Sequence, residues 1–203
     1  MKSNMEMNVM SQTLNEKVLF DKKQTKKIED YCNAVFDGLR GTGAKQRVQD
    51  PNRNGREVNL QGMAAEIWFK EKHNIPYSLE LDNVDVAPRS YLHDVDVLVD
   101  GKVFELKQTS YDTGCLFLNH IDWYGKPKKL IADIYVLVIG KFPNYNRELY
   151  ITREEFILIN PEPRMHKRIG KIGLFAEQSD MHSTLKEALN YNVRNSKGTS
   201  TLS

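Results

Sequence analysis

Residues 93–110, HDVDVLVDGKVFELKQTS, constrain this chain more than any other stretch, because they can be read one by one as a β-hairpin. Asp100 and Gly101 stand between two alternating apolar runs. Both central positions of a type I′ turn need positive φ, which these two residue types tolerate. The turn then fixes the pairing. Val99 faces Lys102, Val97 faces Phe104 and Val95 faces Leu106 on one side, which reads as core. On the other side Leu98 faces Val103, Asp96 faces Glu105 and Asp94 faces Lys107. Opposed side chains of such a ladder have Cβ atoms roughly 5 Å apart, and like charges there repel. Asp96 and Glu105 therefore repel each other. A divalent ion bound by both would turn repulsion into ligation, and hard carboxylate oxygens suit Mg²⁺, with Mn²⁺ able to substitute. Lys107, two residues beyond Glu105 on the same side, would reach a water or phosphate oxygen beside that ion. The plain alternative is a solvated strand face on which Asp94 and Lys107 pair and nothing binds. A register one residue away would exchange the two faces.

The rest of the chain sets the context. Its 203 residues suit one compact domain, expected over 1–192, with an N-terminal helical extension and a disordered tail over 193–203. A hydrophobic content of 40% with 28% charged residues is that of a soluble protein, and no apolar run approaches the roughly 20 residues of a membrane span. No membrane partner is expected. Cys32 and Cys115 have no metal-type or redox-type spacing, and the N-terminus lacks a secretory apolar run, so a reducing cytoplasm is the simplest home.

A net charge of +2 says little, but its distribution is uneven. From Lys22 to Arg56 there are nine Lys or Arg against four acids, RMHKRIGK at 164–171 has no acid, and acids gather between Glu80 and Glu105. Basic flanks around an acidic centre suit a site that holds a cation between itself and a polyanion; segregated solvated faces are the ordinary alternative.

Periodicity predicts a helix over 22–41, with Ile28, Tyr31, Cys32, Val35, Phe36 and Leu39 on its apolar side and Cys32 in a core. A polar loop follows, in which GLRGTGAK approaches a phosphate-binding motif but has Ala44 where the lysine belongs. Arg47, Arg53 and Arg56 in this region could touch phosphates, although unattached surface arginines are the more common case. Leu60, Met63, Ala64, Ile67 and Trp68 mark a second helix that carries Glu66 at the margin of its apolar stripe. Such a carboxylate needs a partner, although alone it is usually an ordinary helix-edge residue. Strand composition recurs at 115–118, 132–142 and 148–151, and 183–191 suggests a closing helix. The order points to an α/β fold with a central mixed sheet flanked by helices. Gln108, Thr109 and Ser110 continue from Lys107 and could contact a neighbouring phosphate or equally cap the strand, and Trp123, Tyr124, Lys126, Lys128 and Lys129 form a loop of aromatic and basic residues suited to DNA contact, with an ordinary basic loop as the alternative. His120 reads as a structural histidine.

Glu66 in QGMAAEIWF, an acid in HDVDVLV, ELK in VFELKQTS and the strand ADIYVLVIG together resemble the PD-(D/E)XK nuclease superfamily over about residues 55–142. The resemblance implies a restriction-endonuclease-like core. It implies Asp96, Glu105 and the Leu106 carbonyl as Mg²⁺ ligands, Glu66 supporting the same or a second ion, and Lys107 orienting the attacking water. No proline precedes Asp94 or Asp96, so either can be the strand acid; the pairing favours Asp96. The expected activity is a Mg²⁺-dependent DNA endonuclease, with specificity from the core's loops or from a homodimer, of a kind that suits a phage or other mobile element. A catalytically inactive nucleic-acid-binding or assembly protein and a nuclease acting on RNA are the alternatives.

Overall fold

The structure is a computed structural model that describes residues 20–41, 54–80, 96–121 and 125–190. It is an α/β protein with mixed sheet topology and divides into two compact units: residues 1–94 with 140–146, and residues 95–139 with 147–203. The C-terminal tail, Arg47, Arg53 and Asp94 lie outside the described residues.

The first unit holds α1 (Lys22–Gly41) and α2 (Gly55–Lys72), which pack together. α1 spans the predicted bounds and buries Ile28, Cys32 and Phe36 at helical spacing. Asn54 caps α2 by accepting the Arg56 N–H. α2 buries Gln61, Ala64, Ala65, Ile67, Trp68 and Phe69, whereas Leu60 and Met63, expected in the core, are only half-buried. Gln61 is buried because its polar atoms are used: Oε1 accepts the Phe142 N–H at 2.8 Å and its carbonyl accepts the Tyr145 hydroxyl at 2.8 Å. Trp68 stands 5.7 Å from Tyr145, ring centre to ring centre.

The second unit is built from β1 (Val97–Val99), β2 (Lys102–Thr109), β3 (Leu116–Asn119), most of β4 (Ile134–Lys141) and β5 (Asn144–Thr152), α3 (Arg153–Ile159), β6 (Arg164–His166) and β7 (Lys171–Ala176); residues 185–190 are helical. One sheet has the order β1-β2-β4-β5, the other β3-β7-β6. The first is mixed: β1 runs antiparallel to β2, and β2 parallel to β4 with Glu105 beside Tyr135 and Lys107 beside Leu137. In β4, residues 134–139 are buried without interruption, the pattern of a strand covered on both faces, which explains a run with no polar alternation.

The core of this unit lies between Tyr135, Leu137, Ile139, Leu149 and Ile151 of the first sheet, Leu116, Leu118 and Ala176 of the second, and Phe156 of α3. A capping box starts α3: Thr152 Oγ1 accepts the Glu155 N–H, and the Glu155 carboxylate accepts the Thr152 N–H. In the second sheet, a side chain at Gly173 would meet the Phe117 ring and the Leu118 carbonyl, so its absence lets Phe117 lie across β7. Among the described residues no helix is long and apolar enough to cross a membrane.

Candidate metal centre on the hairpin

The hairpin forms in the expected register. Val97 pairs with Phe104, Leu98 with Val103 and Val99 with Lys102, around Asp100 at φ 49° and Gly101 at φ 73°. Val97, Phe104 and Leu106 are buried on one side as expected. The other side is not a solvated face: Leu98 near the turn is open, but Glu105 is only 2% exposed.

Asp96 departs slightly from the ladder and turns its carboxylate onto the Leu106 N–H. β1 begins at Val97, the Asp96 N–H bonds to the Phe104 carbonyl at 3.2 Å, and the Asp96 carboxylate accepts the Leu106 N–H at 2.5 Å. A side-chain oxygen thus stands where a strand carbonyl would otherwise continue the pairing. Val103 is anchored one step away on each side of Asp133, whose carboxylate accepts its N–H at 2.9 Å and whose N–H bonds to its carbonyl at 2.8 Å.

Two ammonium groups meet one oxygen of Glu105. Lys107 Nζ is 2.8 Å and Lys128 Nζ 2.9 Å from Oε1. Lys107 also donates to the Leu106 carbonyl at 3.2 Å, so one cation bridges a carboxylate and a backbone oxygen. Glu105 Oε2 is buried and has no hydrogen-bond partner among the described residues. Burial penalises both carboxylates. At Glu105 the charges of Lys107 and Lys128 and their hydrogen bonds outweigh burial and hold the carboxyl below its ordinary range. At Asp96 burial prevails over Lys107 and the Leu106 N–H, with repulsion by Glu105 added, and the carboxyl is raised. Opposite shifts in adjoining acids make this the most electrostatically distinctive place on the hairpin. Tyr135, beside Glu105 on β4, has its phenol raised by burial and then by the Glu105 charge.

The donors fit a hard divalent cation: the Asp96 carboxylate, Glu105 Oε2 and the Leu106 carbonyl are all oxygens. The orphaned Oε2 is the atom a cation would satisfy, and the Lys107 ammonium already occupies a cationic position between Glu105 and Leu106.

The other predicted residues fall as follows. Glu66 belongs to the first unit, half-buried, where its charge adds to burial in raising the Tyr31 phenol and in pushing the Cys32 thiol up to about 12. Cys32 is a buried thiol, as expected of a core residue. Arg56 binds within the first unit, to Asn33 at 2.9 Å and to Asp37, with its guanidinium 4.9 Å from the centre of the Phe36 ring. Gln108 is half-buried, and Lys126 and Lys129 are exposed. Lys128, expected as a loop cation for DNA, has its ammonium on Glu105; Trp123 and Tyr124 lie outside the described residues. His120 joins elements, its Nδ1 3.0 Å from the Ile172 carbonyl and its carbonyl accepting the Lys128 N–H at 2.9 Å.

A second cluster, which spacing did not reveal, joins Cys115, His166 and Glu177. His166 Nε2 is 3.2 Å from Cys115 Sγ and 3.4 Å from a Glu177 oxygen. Its Nδ1 accepts the Ile169 N–H at 3.1 Å, which puts the ring proton on Nε2. A metal-bound histidine donates from its second nitrogen instead. The cluster therefore reads as a hydrogen-bonded clasp, reinforced by Arg168, which donates to Thr113 Oγ1 at 3.0 Å and to its carbonyl at 2.5 Å.

No protein-family model, no curated protein and no solved structure matches the chain.

Proposed function

We propose that the chain is a Mg²⁺-dependent nuclease of the PD-(D/E)XK kind, with a restriction-endonuclease-like core, that hydrolyses phosphodiester bonds in DNA as an endonuclease. The observation that carries the reading is the Glu105 carboxylate: buried, contacted by two ammonium groups on Oε1, with Oε2 unpartnered among the described residues, and close enough to Asp96 for its charge to raise that carboxyl. When bound, a divalent ion there would supply a nucleophilic water at neutral pH and relieve charge on the scissile phosphate. Asp96, Glu105 and the Leu106 carbonyl would hold it. Lys107 would orient the water or a phosphate oxygen, and Lys128 would meet the same polyanion.

The test is incubation of the full chain with plasmid DNA and Mg²⁺ or Mn²⁺, alongside Asp96→Ala, Glu105→Ala and Lys107→Ala. Cleavage by the wild type, lowered about 10²-fold or more in each variant, is expected. Equal cleavage by all four proteins, or none by any on DNA or RNA, defeats the proposal.

One observation favours a second reading. Lys107 and Lys128 already balance Asp96 and Glu105 without an ion. A nucleic-acid-binding protein that keeps the fold without catalysis would have this closed charge balance, and it predicts DNA retention that survives loss of both acids.

A further inference from the structure

The β6–β7 ribbon carries basic side chains that the reading above leaves without a task. From Arg164 to Ala176 the sequence contains no acid. Arg164, Lys167 and Arg168 are exposed, and Lys171 is half-buried. Arg168 is engaged by Thr113 and lies 3.6 Å from Glu177, so it positions the ribbon. Arg164 is oriented by stacking, its guanidinium 4.4 Å from the centre of the Phe175 ring. The opposite face of the ribbon carries Met165 and Ile172, register partners across the two strands that are 55% and 48% exposed. The ribbon thus presents Arg164 and Lys171 from one face, Lys167 from the start of the turn and an exposed apolar pair from the other face, a combination suited to a nucleic-acid backbone with Lys and Arg on the phosphates.

The ribbon is also registered on the acid site. The Ile172 carbonyl meets His120 Nδ1 at 3.0 Å, the His120 carbonyl accepts the Lys128 N–H at 2.9 Å, and Lys128 Nζ lies 2.9 Å from Glu105 Oε1. Three contacts thus link the ribbon to the carboxylate. On the opposite strand, the clasp through His166 fixes the turn between β6 and β7.

We infer that the β6–β7 ribbon, through Arg164, Lys167 and Lys171, is the arm that grips the backbone of a nucleic-acid duplex and presents it to the hairpin acids. This rests on the nuclease reading and names the surface that reading lacks. An acidic protein partner is disfavoured by the link to Glu105, which would lead it to a carboxylate site.

The test measures binding of the full-length, metal-free protein to a labelled DNA duplex by fluorescence anisotropy, between about 50 and 200 mM salt. Lys167→Ala/Lys171→Ala is compared with wild type and with Lys22→Ala/Lys23→Ala, which removes equal charge from exposed positions of α1. The ribbon variant should lower the slope of log affinity against log salt by about 1.8 and weaken binding roughly tenfold at the low-salt end, with the melting temperature retained. The α1 variant should stay at the wild-type slope. An unchanged slope in the ribbon variant, or an equal change in both variants, overturns the ribbon while leaving the nuclease reading intact. Failure of the wild-type protein to bind duplex DNA, single-stranded DNA or RNA overturns the ribbon and the nuclease reading together.

Discussion

Glu105→Ala destabilises the metal-free protein by about 3 kcal/mol and abolishes the rise in melting temperature that Mg²⁺ or Mn²⁺ produces in the wild type. The carboxylate is buried and directly contacted by two ammonium groups, so its removal takes from Lys107 and Lys128 the acceptor they share. Breaking a fully buried pair costs about 3–5 kcal/mol; the lower end applies because the Lys107 side chain is one-third exposed, at 34%. The sign with pH follows from the depressed Glu105 carboxyl. Its contribution is fully present above the unfolded carboxylate range and is lost as pH falls through its folded value. Asp96, raised by burial, acts oppositely: its ionisation costs stability as pH rises from the unfolded range through the raised value. The metal-free Glu105→Gln protein should therefore lose less stability on acidification than the wild type. Urea denaturation in EDTA across the acid range checks this, and a variant as stable and as acid-sensitive as the wild type would refute it.

Lys128→Met is expected to act in two directions at once. Without metal it removes one of the two charge-assisted hydrogen bonds on Glu105, at a cost of about 2 kcal/mol. With metal it removes a competitor for the carboxylate, and affinity for Mn²⁺ should rise about tenfold, or about 1.4 kcal/mol. Lys128 comes from a segment 23 residues beyond Glu105, and methionine preserves the length of its apolar stem while deleting the charge. Calorimetric titration with Mn²⁺ reads the second effect. A weaker affinity in Lys128→Met would mean that the ammonium assists ion binding, which contradicts the competition argued here.

The hairpin was legible in the sequence because everything that determines it is local: Asp100 and Gly101 supply the positive φ, and alternation sets the two faces. α1 was legible for the same reason, its apolar residues recurring at helical spacing. Legibility ended where distant segments decide the outcome. The departure of Asp96 from the ladder depends on the Leu106 N–H finding a side-chain acceptor, which alternation does not encode. Lys128 looked like one cation among three in a loop, and only the fold brings it to Glu105. Gln61 is polar on paper but buried by Phe142 and Tyr145, which displaced the expected stripe on α2. α3 shows in the sequence only through the capping-box spacing of Thr152 and Glu155, which the strand running directly into it conceals. The β6–β7 ribbon shows in the sequence as charge and not as strands, and the clasp of Cys115, His166 and Glu177 joins residues too far apart in the chain for spacing to show.

The most direct measurement of the central claim is anomalous diffraction from a crystal soaked in Mn²⁺. The account predicts a peak ligated by the Asp96 carboxylate, Glu105 Oε2 and the Leu106 carbonyl, with Lys107 Nζ withdrawn from Leu106. A saturating soak that leaves no peak there, with both ammonium groups still on Glu105, would contradict it.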